Sequence, residues 1–198
     1  AKSPHALPAP RGKIVLLDDC LTSYCEPNVN RSAVQVLEAA GYEVVLAGLP
    51  CCGRAHISKG LVDEAKQLAR QNLATLRPFI REGCLIVGSE PSCLLTLADD
   101  YLDLVPGEES RRVAKNVLLV DSLLAREGIQ LPLRRDPQPV VLHGHCHQRA
   151  LVGAGDTVAA CRQVADDVKL LDSGCCGMAG SFGYEHYDIR MQIGGRVL

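Results

Sequence analysis

Ten cysteines stand in this chain, and four of them form two adjacent pairs that each precede a glycine: Cys51-Cys52-Gly53 and Cys175-Cys176-Gly177. Thiolates ligate soft and borderline metal ions or exchange disulfides. A doublet narrows the choice. Two neighbouring side chains do not readily take two corners of one tetrahedron, but they reach different irons of a polynuclear centre. Glycine after the pair permits a positive φ, and so a turn that presents both sulfurs to one side. A helix or tight turn starting there would aim its first backbone amides at the sulfurs, and such donors favour the thiolate that ligation requires.

The doublets have company at fixed spacing. Cys20 precedes the first and Cys146 the second, with offsets of 126 for the single cysteine and 124 for the doublet. Val44 and Val168 each stand seven residues before their pair, so the segments feeding the pairs align as well. This is an internal repeat. The first copy adds Cys93; the same offset carried on from Cys93 falls beyond Leu198, so the second copy is expected to be incomplete at its C-terminal end. Seven cysteines are thereby candidate metal ligands: Cys20, Cys51, Cys52, Cys93, Cys146, Cys175 and Cys176. Cys25, Cys84 and Cys161 read as small buried hydrophobes.

The elements that must position these thiols follow from periodicity. Short β-rich runs at Lys13 to Leu17, Tyr42 to Ala47, Cys84 to Val87, Val140 to Leu142 and Val168 to Leu171 alternate with amphipathic segments, which predicts a parallel sheet flanked by helices. Helices are expected over Arg31 to Ala40, stopped by Gly41, and Leu61 to Arg81, stopped by Gly83, with two more at Ser92 to Leu104 and Ser110 to Arg126. In a parallel sheet the residues just past the strand C-termini converge on one edge. All seven candidates follow such runs and should share that rim.

Composition limits the alternatives. The 198 residues are 47% hydrophobic and 22% charged, with 21 Lys and Arg against 23 Asp and Glu, a net charge of −2. No field draws such a chain to nucleic acid, and its apolar runs are too short to span a bilayer. Clustered thiols in a chain with long periodic segments speak for a cytoplasmic metal protein rather than a secreted disulfide scaffold. The Pro-rich opening from Ser3 to Pro10 reads as a linker from a longer polypeptide. The expected division is a linker at 1–12, a first unit at 13–127, a connection at 128–139 and a second unit at 140–198.

Together Cys20-Leu21, Cys51-Cys52-Gly53, Glu90-Pro91-Ser92-Cys93, His143-Gly144-His145-Cys146-His147 and the segment Cys175 to Gly183 resemble the CCG-type cysteine-rich family. That family is shared by heterodisulfide reductase B-type subunits and the iron-sulfur parts of FAD-linked dehydrogenases of glycolate, D-lactate, D-2-hydroxyglutarate and related hydroxy acids. The resemblance implies an α/β architecture of two tandem Rossmann-like units with mostly parallel sheets and pseudo-twofold internal symmetry, the second unit truncated. It implies an iron-sulfur cluster, of 4Fe-4S type, with zinc the alternative at one site, Gly53 and Gly177 shaping the turns that hold it. The flavin would sit on the parent protein or a partner, electrons would leave to an acceptor, and the location would be cytoplasmic or peripheral at the inner membrane through partners. The family pattern ends in Cys-x-x-Cys, but Glu90 occupies its first position here. The alternatives are a heterodisulfide-type thiol redox subunit and a zinc-stabilised interaction domain without redox activity.

Several residues near the cysteines have two readings. Glu90 could ligate or cap a helix. His143, His145 and His147 alternate about Cys146, which on an extended segment puts all three on one side, as ligands or as hydrogen-bonding supports of the thiolates. His56 could support the first doublet in the same way. Gly153-Ala154-Gly155 lacks the strand and third glycine of a dinucleotide site.

Overall fold

A computed structural model of the protein describes residues 11–196. Most of the expected N-terminal linker, residues 1–10, lies outside them. The chain alternates strand and helix. Strand β1 (Gly12–Leu16) leads through a single π-helical turn, Leu21–Cys25, into α1 (Pro27–Ala39). Then come β2 (Tyr42–Leu46), α2 (Arg54–Ser58), α3 (Val62–Arg81), β3 (Leu85–Gly88), α4 (Pro91–Ala98), α5 (Asp100–Leu104), α6 (Glu108–Lys115), β4 (Val117–Leu119) and α7 (Val120–Arg126). After an irregular stretch the chain continues with β5 (Val140–Leu142), α8 (Cys146–Leu151), α9 (Gly155–Cys161), β6 (Val168–Leu170), α10 (Phe182–Glu185) and α11 (Tyr187–Gly194).

The first four strands form one parallel sheet in the order β2-β1-β3-β4, with Ile14 opposite both Val44 and Leu85. Alternation along β1 sorts its side chains onto two faces. Val15 and Leu17 join Ile86, Leu73, Leu76, Leu94, Leu97 and Tyr101 on one, while Ile14 and Leu16 join Leu37, Val87 and Leu123 on the other. Strands β1 and β3, buried on both faces, accordingly carry the apolar runs Ile14-Val15-Leu16 and Leu85-Ile86-Val87. In α3 the buried positions Ala65, Ala69, Asn72, Leu73 and Leu76 trace one helical stripe.

Strands β5 and β6 pair in parallel, and an isolated bridge between Asp136 and Ala165 prolongs their ladder. Among the described residues both hydrophobic clusters draw their buried members from positions up to 123, and Val141 in β5 is 61% exposed. The second half therefore leans on the first. Helix α9 packs on α7 and α8 on α4. Gln148 donates to the Thr157 hydroxyl at 2.7 Å, Thr157 donates to Asp121, and Arg126 pairs with Asp156.

Three expectations need correction. The helix expected over Ser92 to Leu104 is divided at Asp99 (φ −117°, ψ −74°) into α4 and α5, and Tyr101 of α5 is buried in the core. The helix expected over Ser110 to Arg126 is interrupted by β4, because Val117-Leu118-Leu119 gains ladder bonds to β3 that a helix would forfeit. Among the three cysteines read as buried, only Cys84 is. Cys25 is exposed at the end of the π-helical turn, and Cys161 is half-buried at the last residue of α9.

Candidate metal centre

Each candidate cysteine of the first copy lies just beyond a strand's C-terminal end. Cys20 follows β1 and opens the π-helical turn, which buried Asp19 fixes by accepting from the Thr22 amide at 2.9 Å and the Thr22 hydroxyl at 2.6 Å. Cys51 and Cys52 follow β2, and Gly53 takes the left-handed conformation (φ +89°) from which α2 starts. Cys93 sits in the first turn of α4 after β3.

The thiols interact in series. Cys51 touches Cys52, Cys52 touches Cys93, and Cys20 is close enough to Cys51 for their negative charges to repel. The arc is open to solvent at one end, since Cys20 is exposed while Cys52 and Cys93 are buried. Among the described residues no three cysteine sulfurs fall within 4.8 Å of one another. A tetrahedral zinc with Zn–S near 2.3 Å would need its sulfurs within roughly 4 Å of each other. With neighbouring thiols in contact along the series, the arc is not closed around one point.

Backbone donors already face the sulfurs: Gly53 N donates to Cys51 Sγ and Arg54 N to Cys52 Sγ, both at 3.4 Å. They do not prevail in the metal-free thiols. The Cys52 thiol beside it, then burial, push Cys51 far up. Cys51 pulls Cys52 down, but Cys93 and burial raise it further. Burial first, then the Cys51 charge, lifts Cys20. These thiols hold their protons at neutral pH until a metal displaces them.

The later cysteines have a similar arrangement on a smaller scale. Cys146 starts α8 beyond β5, and Cys175 and Cys176 follow β6. Cys146 is raised by burial and by Cys175 beside it, with Cys176 nearby, and Gly177 N donates to Cys175 Sγ at 3.3 Å. Gly177 (φ +83°) is doubly required, because a Cβ there would meet the Arg190 backbone at 3.0 to 3.1 Å. Arg149 holds the approach to the doublet through the Ser173 carbonyl and Asp172.

The histidines do not share a side. Their segment is not extended throughout, because α8 begins at Cys146, so the alternation fails. His143 Nε2 bonds the Gly174 carbonyl at 3.2 Å. His145 caps α8, its Nδ1 accepting from His147 N at 3.2 Å, which leaves the Nε2 proton of a neutral ring free for Ser92 Oγ at 3.2 Å. Burial lowers the His145 pKa, though Glu90 at 3.8 Å opposes it. His147 instead gathers with Asp99 and Asp100, the latter already paired to Arg54 at 2.9 Å. His56 lies near Cys51, its buried Nδ1 without a partner. His186 is exposed and stacks on Phe182, with ring centroids 4.6 Å apart. Glu90 caps α4 by accepting from Ser92 N at 2.9 Å.

Asn72 and Tyr101, both 0% exposed, carried no signal in the sequence. Asn72 Nδ2 donates to the Cys51 carbonyl and to Tyr101 Oη, both at 2.7 Å, and Tyr101 donates to the Cys52 carbonyl at 2.9 Å. A polar residue on the buried stripe of α3 was the only trace, and an asparagine there reads equally as a surface position.

Fold and site define a class: a parallel α/β protein whose strand ends gather cysteines at Cys-Cys-Gly turns. Residues 14–98 match the family described as CCG, cysteine-rich domain. It is 28% identical over 192 residues to a subunit of the anaerobic glycerol-3-phosphate dehydrogenase of Escherichia coli K12, covering 93% of this chain and 48% of that protein. It is 30% identical over 175 residues to the D-2-hydroxyglutarate dehydrogenase of the same organism (87% and 17%) and 24% identical over 207 residues to its glycolate oxidase iron-sulfur subunit (98% and 51%). The chain thus spans about half or less of the length of these relatives. No solved structure matches it. Among the described residues no helix is long and apolar enough to cross a membrane.

Proposed function

We propose that this chain is the iron-sulfur, electron-transfer part of an FAD-linked oxidoreductase that oxidises a D-2-hydroxy acid. Cys20, Cys51, Cys52 and Cys93 hold a cluster of 4Fe-4S type, and Cys146, Cys175 and Cys176 hold part of a second centre. When bound, such a group accepts and releases single electrons. The residues of this chain supply its negative ligands and the amides of Gly53, Arg54 and Gly177 that offset their charge, and they bury the inner sulfurs while leaving Cys20 at the surface. Glu90, His143, His145 and His147 support this frame as hydrogen-bonding neighbours rather than ligands. Residues 13–127 form the first unit, 128–139 the connection and 140–198 a second Rossmann-like copy. The flavin sits on another domain or subunit, and the assembly works in the cytoplasm or against its membrane.

The observation that carries this reading is the open arc of four thiols at three strand ends, two of them met by backbone amides. The names of relatives support the electron-transfer part of this reading: one is an iron-sulfur subunit, another a subunit of a glycerol-3-phosphate dehydrogenase and a third a D-2-hydroxyglutarate dehydrogenase. The test uses the intact parent protein with its flavin part, prepared without oxygen. D-2-hydroxy acids are expected to bleach the cluster's visible absorption through the flavin, while glycerol 3-phosphate is expected to leave it unchanged. Bleaching by glycerol 3-phosphate alone would reassign the substrate. No bleaching by either, in a flavin-replete protein, would refute the electron-transfer role.

A further inference from the structure

We propose that Tyr101 and Asn72 are positioning residues that aim the doublet's amides at its sulfurs and thereby raise the reduction potential of whatever Cys51 and Cys52 ligate. The inference rests on the cluster reading above and concerns residues that do not touch the cluster.

The geometry is closed. Tyr101 has one hydroxyl proton, and the Cys52 carbonyl takes it at 2.9 Å. The tyrosine oxygen must then accept, and it does so from Asn72 Nδ2 at 2.7 Å. The second proton of that amide goes to the Cys51 carbonyl at 2.7 Å, which fixes the side-chain orientation, since a carbonyl can only accept. Asn72 Oδ1 is left without a partner, so the carboxamide is held entirely by its donors. Both residues are fully buried, Tyr101 among the core side chains around Cys52 and Cys93.

The consequence follows from peptide planarity. In a trans peptide the carbonyl and the next amide point in opposite directions, and no cis peptide occurs among the described residues. Tyr101, by holding the Cys52 oxygen on the core side, turns Gly53 N–H the other way, onto Cys51 Sγ at 3.4 Å. Asn72 holds the preceding plane through the Cys51 oxygen. The following plane is held by the first bond of α2, from Ile57 N to Gly53 O at 3.0 Å, and it carries Arg54 N–H to Cys52 Sγ. Three consecutive planes are thus locked, two of them by these side chains. Amide donors stabilise the more negative, reduced state of a thiolate-bound centre, so losing their aim lowers the potential.

The test compares Tyr101→Phe with wild type in the anaerobically loaded protein, with Tyr42→Phe as a control in a half-buried tyrosine at the first residue of β2, the end of that strand away from the doublet. Iron, sulfide and the thermal midpoint are measured first, then the midpoint potential by redox titration. Expected is a Tyr101→Phe protein with wild-type iron and sulfide and a potential shifted to more negative values, while Tyr42→Phe matches wild type. Asn72→Ala should shift it in the same direction. A loaded Tyr101→Phe protein with unchanged potential overturns the inference, and so does one that loses metal only because it no longer melts cooperatively. If wild type holds zinc instead of iron, the cluster reading fails, and the same variants loaded with cobalt(II) decide the inference. Its thiolate charge-transfer band moves in Tyr101→Phe if the amides lose their aim and stays in place if they do not.

Discussion

Gly53 and Gly177 occupy equivalent places after the two doublets, yet they face different demands. Both take positive φ, which costs a residue with a Cβ about 1–2 kcal/mol. Only Gly177 is also pressed against backbone, that of Arg190; the nearest atoms to a Cβ on Gly53 lie 3.7 Å away in Ala65. Gly177→Ala is therefore expected to destabilise more than Gly53→Ala in chemical denaturation, and equal losses would show that the Arg190 contact yields freely. Glu90 offers a second residue-scale test. As the cap of α4 its loss in Glu90→Ala costs about 1 kcal/mol, and Glu90→Ser should restore most of it. Both variants should keep the iron content of wild type, and a fall in iron for the capping-competent serine would make Glu90 a ligand. At this scale the sequence disclosed the cysteines and glycines, because their chemistry is local. It could not disclose Asn72 and Tyr101, whose partners are backbone carbonyls brought together only by tertiary packing.

Elements show the same division. Strands β1 and β3 were legible because burial on both faces writes them as apolar runs, edge strand β2 because of its β-branched Val44-Val45, and α3 because one stripe of it is buried. Strand β4 was not, since three apolar residues between helical flanks satisfy either period until a neighbouring edge offers hydrogen bonds. The break at Asp99 was equally hidden, because Leu94, Leu97 and Tyr101 keep the spacing of one helical stripe across it. Helix α4 carries Cys93 and depends on Leu94, which is 0% exposed and would contact a Cβ on Gly88 at 3.0 Å. Leu94→Ala should cost about 2–5 kcal/mol, read by urea denaturation, while a loss below about 1 kcal/mol would mean that α4 is not anchored through this contact.

Across the whole molecule the two halves are unequally supported. The first has a core on both sheet faces; the second has a two-stranded ladder, exposed Val141, and ties to the first half such as Arg126 with Asp156 and Lys59 with Glu185. Surface pairs of this kind contribute about 0–1 kcal/mol each, far less than the buried clusters. Hydrogen exchange is therefore expected to be faster over 140–196 than over β1 and β3, and fastest around 172–180 when metal is removed. Uniform protection in the metal-free protein would contradict this. The spacing of the cysteines suggested two like halves, but the imbalance between the two sheets was not legible, because it depends on what each sheet packs against.

The most direct test of the account is the iron and acid-labile sulfide content of the protein purified without oxygen, beside Cys51→Ser and Cys84→Ser. Wild type and Cys84→Ser should be brown with matching iron and sulfide, and Cys51→Ser should lose the share held by the first arc. Colourless wild type containing only zinc, or a Cys51→Ser protein with undiminished iron, would contradict the claim that the thiols at these strand ends hold an iron-sulfur cluster.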